Sequence, residues 1–230
     1  MDTYKINEIF MSIQGEGPSV GQPAIFIRFA GCNENCEFCD TKFSQYTETD
    51  LPGIIRKIEE ILSEKKWPIN GPLLKKIRCI FTGGEPFLQL DFKLIDAMMT
   101  KGFIIGVETN GIKPVHLSDG GLSWIDELTV SPKNIDGADA QVLKRATCLK
   151  LIVPTIQRGS LIRDMVSLLG KNHSYEKHLI LQPITPTEGI DHWKFKNNCL
   201  EAFELAFNWR RDYEEEWKVI PQTHVLMRYK

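Results

Sequence analysis

The chain has no apolar run approaching the ~18 residues that span a bilayer. Its opening, "MDTYKINEIFMSIQ", has no basic segment followed by a long apolar one. No membrane contact and no cleaved signal are expected, and the location expected is cytoplasmic. An excess of either charge is missing too: a formal net charge of −2 over 230 residues gives no bulk attraction to nucleic acid. There is no internal repeat, low-complexity tract or linker-like stretch, so residues 1–230 are read as one domain. Histidine is scarce and late: His116, His173, His178, His192 and His224, none in the first half. In a reducing compartment the six cysteines are less readily a disulfide framework than a metal or redox device.

What is present is an alternation of short apolar runs with segments of helical period. "AIFIRFA" (24–30), "IRCIFTG" (77–83), "FIIGVET" (103–109), "IDELTV" (125–130), "CLKLIVP" (148–154) and "HLILQP" (178–183) read as strands. Between them, a helix after Asp50 places Ile54, Ile58, Ile61 and Leu62 on one face, with Pro52 in its first turn. A second carries Leu94, Ile95, Met98 and Met99 and ends at Gly102. A third carries Leu161, Ile162, Met165, Leu168 and Leu169 and ends at Gly170. A last one over 192–210 is expected to bury Trp193, Cys199, Leu200, Phe203 and Phe207. The stretch after "IDELTV" holds no full helix. This order predicts a mostly parallel α/β sheet, either open and doubly wound or an incomplete barrel. Ligand sites in such sheets gather at the strands' carboxyl ends. The unusual segments fall there: "GCNENCEFCDT", "TGGEPF", "ETNG", "SPK" and "QPITPTEG".

Cys32, Cys36 and Cys39 have the spacing C-x3-C-x2-C. Structural zinc takes four Cys or His ligands, and the fourth here would have to come from Cys79, Cys148 or Cys199. The first two sit in apolar strands and the third on a helix's apolar side, which suits small core residues. A zinc site completed by a distant ligand is the alternative that remains. Thiol exchange needs one or two thiols rather than three.

The triad, with Phe38 just before its last cysteine and "TGGEP" downstream, resembles the radical S-adenosylmethionine (SAM) enzymes. The resemblance implies a 4Fe–4S cluster held by Cys32, Cys36 and Cys39 in a loop over 31–45. One iron is left open to chelate SAM, which the reduced cluster cleaves to a 5′-deoxyadenosyl radical. It also implies that Gly83, Gly84 and Glu85 lie by the methionyl amino group; absent Cβ atoms would let backbone approach the ligand. Within that superfamily, "NEIFMSIQGEGPSVGQPAIFIRFAGCNENCEFCDT", then "TGGEP", "ETNG", "SPK", "LQPI" and "QTH" in order, are similar to the 7-carboxy-7-deazaguanine synthases over essentially the whole chain. The fold implied is an incomplete, modified (β/α)6-type TIM-like barrel. The activity implied is that of a carbon–nitrogen lyase of queuosine and 7-deazapurine biosynthesis, turning 6-carboxy-5,6,7,8-tetrahydropterin into 7-carboxy-7-deazaguanine with loss of ammonia. Mg²⁺, an electron donor such as flavodoxin, and a homodimer accompany it.

The same resemblance implies residue roles. Ile13, Gln14, Gly15, Glu16, Arg28 and Thr82 would meet the substrate. Glu16 would accept from ring N–H groups, a solvated loop carboxylate being the alternative. Arg28, buried in an apolar strand, calls for a carboxylate partner: the substrate's, or a structural Asp or Glu. Thr41 would offer its hydroxyl to Mg²⁺, with substrate oxygens and water completing the shell. Phe38, Cys39, Asp40, Gly84, Glu85, Ser131, Pro132, Lys133, Gln182, Pro183, Ile184 and Thr185 would hold SAM. Glu108 and Asn110 would do related polar work, and His224 is an acid–base candidate or a structural residue. The alternative function is an activase installing a glycyl radical on a partner enzyme. The polar "SIQGEG" loop and Arg28 suit a small anionic heterocycle better.

Overall fold

Short β-branched runs become strands where they were expected, and period-two alternation divides each strand between two environments. The computed structural model describes residues 3–37, 39, 44–68, 74–118, 120–133, 137–153, 178–185, 192–213 and 216–226. Among the described residues nine strands form one sheet: β1 (Tyr4–Ile13), β2 (Pro23–Phe29), β3 (Thr47–Thr49), β4 (Arg78–Gly83), β5 (Ile104–Thr109), β6 (Glu127–Val130), β7 (Cys148–Val153), β8 (His178–Pro183) and β9 (Trp217–Val219). Their order is β3-β1-β2-β4-β5-β6-β7-β8-β9. From β2 to β9 every neighbour is parallel, whereas β1 runs antiparallel to both β2 and β3. All six anticipated strands are present; β1, β3 and β9 are additions. The result is an α/β sheet consistent with a partial TIM-like barrel. Among the described residues no helix is long and apolar enough to cross a membrane.

Helices cover one face of the sheet. α1 (Leu51–Glu64) starts where Asp50 Oδ1 accepts from Gly53 N at 2.8 Å, and it buries Ile54, Ile58, Ile61 and Leu62. α2 (Phe92–Lys101) is capped by Asp91, which accepts from Leu94 N at 3.0 Å, and closed by Gly102 in the left-handed region. The segment after β6 yields only the short α3 (Ala140–Arg145). The helix anticipated over 160–170 lies outside the described residues. Against these helices pack Ile25, Ile27, Phe29, Phe81, Ile105, Val107, Leu128, Leu149, Leu151 and Leu181, all fully or almost fully buried. Burying such side chains contributes about 1.5–3 kcal/mol each, an upper figure against a compact unfolded chain.

α4 (His192–Tyr213) corrects one expectation. Trp193, Leu200, Phe203 and Phe207 are 73%, 50%, 58% and 72% exposed, and Cys199 is half-buried. The helix carries two apolar stripes, and the one facing the sheet holds Ala202 and Trp209, the latter in edge contact with Trp217 at 4.9 Å. Period 3.6 alone does not choose between two stripes on one helix.

From the sheet's other face, six of the parallel strands each send a polar side chain into one cavity. Arg28, Thr82, Glu108, Thr129, Lys150 and Gln182 alternate with the core residues and line a common cavity. Its floor is the loop 14–22, which reaches the sheet from the strands' amino ends. There Ser19 donates to Glu127 at 2.7 Å, and Arg78 donates to Gln22 and, at 2.6 Å, to Glu127.

Candidate active site

The cavity encloses about 400 Å³. At its mouth stand Cys32, Cys36 and Cys39, carried on the segment that leaves β2. The turn between them is closed by Cys39 N donating to the Cys36 carbonyl at 3.1 Å, and Glu34 N donates to Cys32 Sγ at 3.4 Å. Burial raises the pKa of the Cys32 and Cys36 thiols, so iron would displace their protons on binding. Among the described residues no three His, Cys, Asp or Glu gather closely enough to hold a single ion. A 4Fe–4S cube, whose cysteines each bind a different iron, does not require that.

The Gly83-Gly84 pair lines the cavity and also fixes this segment. A Cβ on Gly84 would lie 1.8 Å from the Gly31 carbonyl oxygen, and one on Gly83, at φ +117°, would lie 2.4 Å from that of Phe29. The glycines let "TGGEP" press against the backbone that carries Cys32, with Gly84 N donating to Phe29 O and Glu85 N to Gly31 O. Gly84→Ala is therefore expected to destabilise the chain by about 3 kcal/mol or more, because backbone and not a side-chain tip must yield. Iron uptake should fall with it; urea unfolding and iron content check both.

Glu85 does not line the cavity. Its buried carboxylate accepts from Phe87 N at 2.9 Å, Thr109 Oγ1 at 2.7 Å and Asn110 N at 2.8 Å, tying "TGGEP" to "ETNG". Burial outweighs these bonds and raises its pKa. Asn110 Nδ2 in turn donates to Asn33 Oδ1 at 2.8 Å, inside the cysteine segment. Three carboxyl-terminal loops are thus held as one.

Deeper in, two carboxylates organise the walls. Glu108 accepts from Gln14 Nε2 at 2.9 Å and from Thr82 Oγ1 at 2.8 Å. Glu16 accepts from Lys150 and, at 2.7 Å, from Gln222 Nε2. Burial opposes its charge, but the Lys150 ammonium and these hydrogen bonds prevail and lower its pKa. The short helical turn Thr223–Leu226 closes the cavity from the chain's other end. Thr223 donates twice to Gly15 O at 3.1 Å, and His224 fills the space a Cβ on Gly15 would need. Lys133 donates to Ser131 at 3.0 Å; burial, then the nearby Lys150, lowers its pKa.

Two buried side-chain atoms have no hydrogen-bond partner among the described residues, Arg28 Nε and Gln182 Oε1. Both residues line the cavity. Arg28 reaches Glu8 only at 3.4 Å and lies 5.1 Å from the Phe10 ring.

All six expected substrate residues line the cavity, as do Cys39, Gly84, Ser131, Lys133, Gln182, Ile184 and Thr185 of the expected SAM set. Glu85, Pro132 and Pro183 do not line it. Phe38, Asp40 and Thr41 lie outside the described residues. Sequence reasoning missed Lys150 and gave Gln222 no role. The signal for Lys150 was the one that picked out Arg28: a cation inside an apolar strand.

Residues 26–146 match the family described as the Radical SAM superfamily. The 7-carboxy-7-deazaguanine synthase of Bradyrhizobium diazoefficiens is 39% identical over 96% of this chain and 97% of its own length. That of Burkholderia multivorans is 34% identical over 96% and 97%, and that of Escherichia coli K12 is 32% identical over 90% and 94%. The crystal structure of QueE from Escherichia coli matches the fold with a TM-score of 0.66 at 25% identity, covering 96% of this chain and 95% of that one.

Proposed function

The chain belongs to the radical SAM superfamily and, within it, to the 7-carboxy-7-deazaguanine synthases, and from that premise we propose how its cavity performs their reaction. It is a radical SAM enzyme and a lyase of the queuosine pathway. The substrate in this reading is 6-carboxy-5,6,7,8-tetrahydropterin, converted to 7-carboxy-7-deazaguanine with loss of ammonia. The observation that carries it is the pair of orphaned buried atoms, a donor on Arg28 and an acceptor on Gln182, lining the same cavity as the three cysteines. Buried polar atoms are ordinarily paired, so this cavity suits bound molecules that offer Arg28 an anion and Gln182 an N–H.

Cys32, Cys36 and Cys39 would hold a 4Fe–4S cluster. When bound, the cluster and SAM supply one-electron cleavage and a hydrogen-abstracting radical. Gly84, Ser131, Lys133, Gln182, Ile184 and Thr185, with Phe38 and Asp40, orient SAM. Glu85, Pro132 and Pro183 shape the loops that do so. Arg28 grips the substrate carboxylate, Thr41 would offer its hydroxyl to Mg²⁺, and Ile13, Gln14, Gly15, Glu16 and Thr82 hold the pterin. Glu108 aims Gln14 and Thr82 from behind. The residues' task is to keep the reacting carbon beside the cofactor and exclude solvent. An electron donor of flavodoxin type and a homodimer belong to the same reading. A glycyl-radical activase fits less well, since the orphaned atoms lie inside a cavity sized for a small molecule.

The test is anaerobic reconstitution with carboxytetrahydropterin, SAM and a reductant. Mass spectrometry should find 7-carboxy-7-deazaguanine; removing Mg²⁺ should slow its formation and restoring it should reverse the loss. SAM cleavage with the pterin left unconverted would sink the reading.

A further inference from the structure

Glu16 is given the task of accepting from the substrate, yet each of its oxygens already has a donor, Lys150 on one and Gln222 on the other. An ionised carboxylate has about four acceptor directions. Two therefore remain, one per oxygen, side by side on a residue that lines the cavity. Lys150 stands in "CLKLIV", a strand otherwise apolar, and is almost fully buried. A buried ammonium is costly unless paired, and Glu16 is its partner across 134 residues of sequence. The other titratable groups that bear on Glu16 are His224 on the carboxyl-terminal turn and Lys133 after β6. Glu108 on β5 connects to it through Gln14, whose Oε1 accepts from Glu16 N at 3.2 Å.

We propose that Lys150 is a positioning residue that keeps Glu16 an acceptor-only carboxylate, and that this selects a 2-amino-4-oxo heterocycle over its 2,4-dioxo counterpart. The inference rests on the functional reading above. A 2-amino-4-oxo edge presents two donors, the ring N–H and the exocyclic amine, to the two free acceptor directions. A 2,4-dioxo edge presents a donor and an acceptor, which matches a protonated carboxyl group instead. Burial without Lys150 would favour that protonated form. Lys150 thus acts on substrate choice without touching substrate. A site built to pair particular polar groups rejects an analogue that leaves them unpaired.

The test measures binding of 6-carboxypterin and 6-carboxylumazine to the SAM-loaded holoenzyme by calorimetry. Wild type should prefer the pterin by about 30-fold or more, K150M should narrow this to about threefold or less, and K150R should keep it. In K150M, pterin affinity should improve as pH rises, because Glu16 then regains its charge; in wild type it should stay flat. An unchanged preference in K150M, or a wild type that binds neither compound, overturns the proposal. Should K150M not fold, carboxyl-carbon NMR of wild type decides: a Glu16 titration midpoint above about 5, higher than an ordinary glutamate, overturns it. A wild type that binds 6-carboxypterin selectively but does not convert 6-carboxy-5,6,7,8-tetrahydropterin counts against the functional reading and leaves Lys150's role standing.

Discussion

Changing any one of Cys32, Cys36 or Cys39 to alanine is expected to abolish reductive SAM cleavage, lowering 5′-deoxyadenosine formation by about 10³-fold or more, to background. All three thiols line the cavity mouth on one short segment, and removing one leaves two protein ligands for a cluster that already lacks a fourth. Cys79 and Cys148 are fully buried and do not line the cavity, and burial pushes the Cys148 thiol up to about 12. Such thiols are packing groups. C79A and C148A should keep full iron and sulfide content and cost about 1 kcal/mol of stability each. Iron and sulfide analysis with the cleavage assay separates the two groups. A triad variant that still cleaves SAM would defeat the cluster assignment, and a C148A that lost its iron would mean a fourth cysteine ligand and no iron open to SAM.

Arg28→Met should reduce kcat/KM for the carboxylated pterin by about 10²-fold, or about 3 kcal/mol, with slow substrate-free SAM cleavage remaining as evidence of an intact cluster. The rival role for Arg28 is a structural ion pair with Glu8. At 3.4 Å, with both side chains about a quarter exposed, that contact is longer than a charge-assisted hydrogen bond and contributes less than about 1 kcal/mol. It also leaves Nε unpaired. If the structural role were the main one, Glu8→Gln would cost as much as Arg28→Met. Steady-state kinetics on both variants, and on a substrate analogue lacking the carboxylate, decide. The analogue should react poorly with wild type and lose little more with R28M.

What the sequence made legible follows from how evenly each signal was repeated. Six of the seven parallel strands announce themselves because both neighbours and the helices demand apolar, β-branched residues in short runs. β1 does not, since "YKINEIFMSI" is half-buried along most of its length and carries Lys5, Asn7 and Glu8 among its apolar residues. β9 has three residues and offers no period to detect. The cysteine triad and the "QGEG" loop were legible through spacing and composition. Lys150 and Gln222 were not, because their meaning lies in Glu16, which is distant in sequence from both. The inward register shows only when the strands are aligned, and then Arg28, Thr82, Glu108, Thr129, Lys150 and Gln182 stand as one polar series. α4 was misread for the opposite reason: it has more apolar residues than one face needs.

The Glu16–Gln222 bond joins residues 206 apart, so the reaction chamber cannot be completed until Gln222 has left the ribosome. The cysteines and the glycines that brace them are made within the first 84 residues. A messenger cut short before Gln222 would yield a product with every iron ligand and an unsealed chamber, in which a radical would meet water before it met a pterin.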